Sequence, residues 1–323
     1  MSNLARIRQA AGVLDGVARR TPLLSSPFLD DIAGRRVLVK AECLQHTGSF
    51  KLRGAWFAIS QLPEADRARG VIAFSSGNHA QGVAYAAREA GIPAVIIMPQ
   101  DAPALKIANT RALGAEVVLY DRATEDRDAI GAELSMTRGL SLIKPFDNAD
   151  VIAGQGTVGL EIAQDATALG IEQADVLVCC GGGGLTSGVA LGLSQTRLRA
   201  RTVEPEGFDD VARSLREGQI VHNVALTGSI CDAIITPAPG QITFPIMAQR
   251  CGPGLTVTDD QALRAVALAF QRLKIVVEPG GAVSLAAALF HPDLVEGDTV
   301  ICVATGGNVD AAMFTRALTT LER

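Results

Sequence analysis

Between residues 65 and 147, short apolar runs alternate with stretches of helical periodicity, and glycine or proline marks most changes. Val71-Ile72-Ala73-Phe74 is the first run, bounded by Ser75-Ser76-Gly77-Asn78. Helical spacing follows to Glu89 and stops at Gly91 and Pro93. Ala94-Val95-Ile96-Ile97-Met98 and Glu116-Val117-Val118-Leu119-Tyr120 come next, separated by a helix over 103–113 that Gly114 ends. A further helix runs to Arg138, before Ser141-Leu142-Ile143. Continuous apolar runs alternating with helices predict a parallel sheet covered on both faces.

A second series lies beyond. Gln155-Gly156-Thr157 is expected to open a helix, residues 175–180 to form a buried strand, Thr202-Val203 a shorter one, and residues 299–304 the last. The strand-like run 37–42 precedes the first block and is expected to pack with this second series. The chain therefore reads as an α/β fold with a discontinuous large domain, 1–64 and 148–323, and a smaller inserted domain, 65–147. A cleft between two such units is where α/β proteins bind ligands.

Composition narrows the picture. The 323 residues are 48% hydrophobic but only 4% aromatic, so the core must be built from Ala, Val, Leu and Ile. The net charge of −5 and the lack of a basic block argue against nucleic acid or an anionic membrane as partner. No apolar run reaches the ~18 residues of a membrane span. The first eight residues read as an amphipathic helix without a secretory h-region, which predicts a cytoplasmic protein. Cys43, Cys179, Cys180, Cys231, Cys251 and Cys302 have no Cys-x-x-Cys spacing and read as small core residues in a reducing compartment.

Candidate chemistry centres on Thr47-Gly48-Ser49-Phe50-Lys51. Thr47 or Ser49 can cap a helix, placing Lys51 in its first turn. The positive helix end disfavours an ammonium there and pushes the amine towards its neutral, nucleophilic form. Such an amine beside an anion site is what a Schiff base with an aldehyde cofactor requires; taken alone, the residue reads first as a surface lysine. Gly181, Gly182, Gly183 and Gly184 follow a buried strand and precede a helix, which suits either a phosphate or a tight turn. The run lacks the Walker and dinucleotide-binding spacings. Ser75-Ser76-Gly77-Asn78-His79 is either a polar helix cap or a carboxylate site. Glu204-Pro205-Glu206-Gly207-Phe208-Asp209-Asp210 is either a solvated acidic loop or a hard-cation site.

These segments, with Gly154-Gln155-Gly156-Thr157, Glu278-Pro279 and Thr305-Gly306-Gly307-Asn308, occur in one order over nearly the whole chain. Together they resemble the fold-type II pyridoxal-phosphate enzymes (tryptophan synthase β-like), within them the serine/threonine dehydratase and serine racemase branch. The resemblance implies pyridoxal 5'-phosphate on Lys51, which would also act as base at the substrate Cα. Phe50 would pack on the cofactor ring, Asn78 would meet its 3'-oxygen, the four glycines its phosphate, and Thr305 its pyridine nitrogen. Ser76 would be a second catalytic group opposite Lys51. Ser75, Ser76 and His79 would hold the substrate carboxylate, and Arg127 a distal carboxylate, with Thr236 on the other side. Glu204, the Phe208 carbonyl and Asp210 would bind Mg²⁺ or Ca²⁺, and a homodimer is implied. The chain departs from the racemase at Ala233, usually glycine, and at Phe146, where the racemase has asparagine. The expected activity is dehydration of a β-hydroxy-α-amino acid by an ammonia-lyase, 3-hydroxyaspartate before serine or threonine. The alternatives are an amino-acid racemase and a dehydratase of hydroxyectoine catabolism.

Overall fold

The computed structural model describes residues 2–75, 77–102 and 104–322. Its strands are β1 (Leu23–Ser25), β2 (Arg36–Ala41), β3 (Val71–Phe74), β4 (Ala94–Pro99), β5 (Glu116–Tyr120), β6 (Ser141–Leu142), β7 (Asp175–Cys179), β8 (Arg199–Pro205), β9 (Leu255–Val257) and β10 (Thr299–Ala304). Among the described residues they form a six-stranded sheet, β1-β2-β10-β7-β8-β9, and a four-stranded sheet, β5-β4-β3-β6. Every pairing is parallel except β1 with β2. Helices cover both sheets, and β7 is buried along its whole length, as the continuous apolar runs require. No described helix is long and apolar enough to cross a membrane.

The core of the smaller sheet extends beyond residues 65–147. It takes in Leu52, Ala55, Ala58 and Ile59 from the helix Lys51–Ser60, and Val151 from the helix Ala149–Ala168. Strand β8 extends on both sides of Thr202-Val203, and charged residues hide the extension in the sequence. Arg201 and Arg199 both pair with Asp175 on β7 at 2.9 Å, so two arginines stand within the strand and interrupt its apolar run. Strands β1 and β9 have three residues each, too few for a periodic signal.

Gln155-Gly156-Thr157 does not open a helix; it lies well inside Ala149–Ala168. The cap is Asn148, whose Oδ1 accepts from the N–H groups of Asp150 and Val151. Glycine within a helix costs about 1 kcal/mol relative to alanine, so these glycines need a packing reason. They have one. A Cβ on Gly154 would come within 2.5 Å of the Arg53 carbonyl oxygen, and one on Gly188 within 2.6 Å of the Gly156 nitrogen. The helices Lys51–Ser60, Ala149–Ala168 and Gly184–Gly192 therefore touch backbone to backbone.

A buried ion network locks the first two of these helices to β2 and the turn that follows it. Arg53, 1% exposed, pairs with Glu42 at 2.8 Å and with Glu161 at 2.7 Å, and Lys40 pairs with Glu161 at 2.6 Å. Burial alone would raise the Glu161 carboxyl, but Arg53 and Lys40 outweigh it and hold it below the usual range. Its stabilising contribution is therefore present above the unfolded carboxylate pKa and is lost as pH falls through the lower folded value. Replacing Arg53 by Met should strand the buried Glu42 carboxylate, leave Glu161 with Lys40 alone, and cost about 3–5 kcal/mol of stability. Urea unfolding at pH 7 measures this, and an unchanged midpoint would contradict the network's role.

Candidate active site

The lysine turn is set by its backbone. Thr47 and Gly48 take left-handed conformations, φ 62° and 72°, and Ser49 then bridges to Gly306 beyond the end of β10. The Phe50 N–H donates to the Thr305 carbonyl at 3.2 Å, and the Gly307 N–H to the Gly48 carbonyl at 2.9 Å. The helix starts at Lys51 without a side-chain cap, contrary to expectation. The hydroxyls of Thr47 and Ser49 are buried and have no partner among the described residues. The left-handed pair turns the chain onto β10 instead of letting either hydroxyl reach the helix end. The Asn308 amide holds this turn, donating from Nδ2 to the Thr47 carbonyl (2.8 Å) and to Asn78 Oδ1 (2.7 Å).

Lys51 Nζ donates to the Pro145 carbonyl at 3.0 Å and sits 5.2 Å from the centre of the Phe50 ring. It is partly accessible only because it faces a cavity. Burial pushes its amine down to about 8, while the Glu278 carboxylate pulls the other way. Burial, rather than the helix end alone, is thus the main source of the neutral amine. Burial likewise raises Glu278 to about 7, although Asn78 Nδ2 donates to it at 2.6 Å. His79 is driven down to about 3 by burial and then by the Lys51 charge, so its ring is neutral. Its Nε2 lies 2.8 Å from the Ile143 carbonyl. A carbonyl can only accept, so Nε2 carries the proton and the other ring nitrogen is an acceptor. The His79 ring therefore cannot hold a carboxylate. Its backbone N–H, in the first turn of the helix Asn78–Glu89, remains free to do so among the described residues.

The tetraglycine turn joins β7 to the helix Gly184–Gly192. Gly183 is left-handed at φ 88°, and a Cβ on Gly182 would fall 2.3 Å from the Phe146 ring. Hydrogen bonds hold this turn by its carbonyls. Gly182 O accepts from Gly240 N and Thr243 Oγ1, and Gly183 O accepts from Ser187 N. Among the described residues, none of the N–H groups of the four glycines finds an acceptor. Free N–H groups at a helix start form an anion site.

One cavity of about 280 Å³ joins these parts. Phe50, Lys51, Ser75, Asn78, His79, Arg127, the four glycines, Thr236 and Thr305 all line it. Ser76 lies outside the described residues. Arg127 is half-exposed, with its guanidinium 5.6 Å from the Phe74 ring centre and 3.5 Å from Asp128. Thr236 Oγ1 is buried without a partner among the described residues. Sequence reading gave no role to Lys106, Arg122, Asp232 or Glu278, which also line the cavity. Only Glu278-Pro279 carried a signal.

Glu204, Phe208 and Asp210 do not line this cavity. Both Glu204 oxygens accept backbone N–H groups, from Val211 (2.9 Å) and Ala212 (2.7 Å), at the start of the helix Asp210–Glu217. Burial, and then the Asp210 charge, raise Glu204 well above the carboxylate range. Burial raises Asp210 to about 7. Asp210 Oδ1 accepts from Asn223 at 2.6 Å, whereas Oδ2 is buried and unpartnered among the described residues. Among those residues no group of three or more His, Cys, Asp or Glu side chains stands ready for a metal.

Comparison with known proteins matches residues 14–306 to the family described as pyridoxal-phosphate dependent enzyme. L-threo-3-hydroxyaspartate ammonia-lyase of a Pseudomonas species is 44% identical over 98% of this chain and 99% of its own. Serine racemase of Schizosaccharomyces pombe is 40% identical over 93% of this chain and 92% of its own. The crystal structure of serine racemase from Dictyostelium discoideum superposes with a TM-score of 0.88 at 35% identity, covering 96% of this chain and 99% of that one.

With cofactor removed, acylation of Lys51 followed by peptide mass spectrometry should show a midpoint near pH 8. Glu278→Gln removes the charge that favours the ammonium and should lower that midpoint. A midpoint in the ordinary lysine range, about pH 10.4, would contradict the assignment.

Proposed function

Because the chain belongs to the pyridoxal-phosphate-dependent enzymes, we propose that it is an ammonia-lyase acting on a β-hydroxy-α-amino acid, with 3-hydroxyaspartate preferred over serine and threonine. One observation carries the reading: Lys51, its proton affinity lowered to about 8, shares a cavity with the unpaired N–H groups of the tetraglycine turn. These N–H groups suit a phosphate, and a near-neutral amine suits an aldehyde, so the residues fit pyridoxal phosphate. The named activity of the Pseudomonas relative and the cations Arg127, Arg122 and Lys106 along the cavity favour a substrate with a second carboxylate.

When bound, pyridoxal phosphate supplies an electron sink that acidifies the Cα–H bond of an amino acid. In this reading Phe50 packs against its ring. Asn78 gives its second amide N–H to the 3'-oxygen, its first being held by Glu278. Thr305 offers the pyridine nitrogen a neutral hydroxyl. Ser75 and the His79 backbone N–H receive the substrate carboxylate, Arg127 the distal one, and Thr236 the opposite side. Lys51 Nζ takes the Cα proton, the electron pair left behind forms the Cα–Cβ double bond as the Cβ–O bond breaks, and the proton gained by Lys51 leaves with the hydroxyl as water. The released enamine becomes an imine, which water converts to a 2-oxo acid and ammonia. Ser76 is assigned the second proton-transfer position, which would allow racemisation as a side reaction.

A divalent cation, Mg²⁺ or Ca²⁺, is proposed at Glu204, the Phe208 carbonyl and Asp210. The buried, unpartnered Asp210 Oδ2 supports it. The six free cysteines suit a reducing compartment such as the cytoplasm. A homodimer is the proposed working form, on the resemblance alone.

A keto-acid and ammonia assay over stereoisomers of 3-hydroxyaspartate, serine and threonine tests the activity. L-threo-3-hydroxyaspartate should give the highest kcat/KM, and accumulation of the mirror-image amino acid without keto acid would favour the racemase. Lys51→Ala should remove the visible cofactor band and lower turnover by at least ~10³-fold; a persisting band would refute the role of Lys51. Chelation of divalent cations should lower the thermal midpoint, and an unchanged midpoint would remove the cation site.

A further inference from the structure

The cations along the cavity are not equivalent. Arg122 is paired with Asp101 at 2.9 Å on its own side, and Arg127 lies beside its chain neighbour Asp128. The Lys106 ammonium, on the helix Ala104–Ala112, instead meets Asp232 at 3.5 Å. That helix packs with the four-stranded sheet, where Ile107 joins the core of β3 and β4. Asp232 belongs to the other side of the cleft. Its neighbour Cys231 is buried in the core of the larger sheet, and the carbonyl of nearby Ile234 would lie 3.0 Å from a Cβ on Gly181. The ion pair thus spans the cleft, and both its members line the cavity that holds Lys51. Both also act on the buried Glu278 carboxyl, Asp232 raising and Lys106 lowering its proton affinity.

The two partners differ in how firmly they need each other. The Lys106 side chain is 24% exposed and that of Asp232 is 69% exposed. The more shielded ammonium gains more from an anion beside it than the exposed carboxylate does, and that carboxylate returns to water at little cost. A carboxylate brought into the cavity can replace Asp232 at Lys106 while the local charge stays balanced. A ligand without such a group leaves the pair closed.

We propose that Lys106 is a specificity-determining residue that binds the second carboxylate of a dicarboxylic amino acid, and that Asp232 is the built-in carboxylate it exchanges for that group. This rests on the lyase reading above and deepens it by giving the substrate's distal group a partner besides Arg127. Asp232 then selects against monocarboxylic substrates indirectly, since only a competing carboxylate gains from the exchange.

The test uses holoenzyme of the wild type, Lys106→Ala, Lys106→Arg and Asp232→Asn. It measures kcat and KM for L-threo-3-hydroxyaspartate and L-serine, and the Kd of succinate as a non-reacting dicarboxylate. Lys106→Ala should lower the 3-hydroxyaspartate-to-serine ratio of kcat/KM about tenfold, through KM, and weaken succinate by a similar factor, as loss of a charge-assisted contact predicts. Lys106→Arg should keep most of the preference, which separates lost charge from lost fold. Asp232→Asn should move the other way, with a lower KM for 3-hydroxyaspartate and tighter succinate. A purely structural latch would make both variants worse, and that result, or equal losses for both substrates, overturns the proposal. If the wild type processes serine but not 3-hydroxyaspartate, the preferred-substrate reading fails. Succinate binding that weakens in Lys106→Ala and tightens in Asp232→Asn would even then support the exchange.

Discussion

The fold depends on three helices whose backbones touch. The helix Lys51–Ser60 begins with the cavity lysine, the helix Gly184–Gly192 begins at the tetraglycine turn, and Ala149–Ala168 lies against both. Gly154 against Arg53, and Gly188 against Gly156, leave no room for a β-carbon at either crossing. Lys51 and the tetraglycine turn reach one cavity because their helices are clamped to a common third. A single added methyl at these crossings would push apart elements that the buried Arg53 network cannot pull back, since its ion pairs need the same close approach.

Electrostatics inside the cavity follow from that close packing. Burial drives the Lys51 amine down and the Glu278 acid up, so both lie near neutrality, at about 8 and about 7. Neither shift needs a special partner. Each is what a poorly solvated site does to a charge. The same burial keeps His79 neutral, so its ring can orient through Ile143 without adding a competing cation. Asn78 and Asn308 complete the arrangement, fixing the lysine turn and the Asn78 amide through one chain of hydrogen bonds that ends on Glu278.

Much of this was legible in the sequence. Apolar runs gave the parallel strands, and the order of the small-residue motifs gave the family and picked out Lys51 and the tetraglycine turn, which the structure brings to one cavity. What escaped was of two kinds. Local rules failed where tertiary contacts overrode them: Gly156 looked like a helix boundary but marks a helix crossing, and Thr47 looked like a cap but is turned away by its own left-handed backbone. Arg199 and Arg201 disguised β8 because their charge is cancelled by a residue on the neighbouring strand. The second kind is long-range. Nothing near Lys106 indicates that Asp232, 126 positions away, will face it.

The proposed phosphate and the proposed distal carboxylate would meet different kinds of donor, and the difference has a physical basis. At the tetraglycine turn the donors are backbone N–H groups, which have no rotamers to order and do not titrate in the working pH range. A resident phosphate held this way costs little side-chain entropy. Along the rim the donors are long cationic side chains, partly solvated and already paired with carboxylates of the protein. Such pairs are individually weak, which is what the proposed exchange of one carboxylate for another requires. A site that must keep one anion and release another is served by both kinds of donor. Substitutions at the rim can then change which substrate enters without disturbing the glycine turn, whose shape is fixed by Phe146 and the helix packing beneath it.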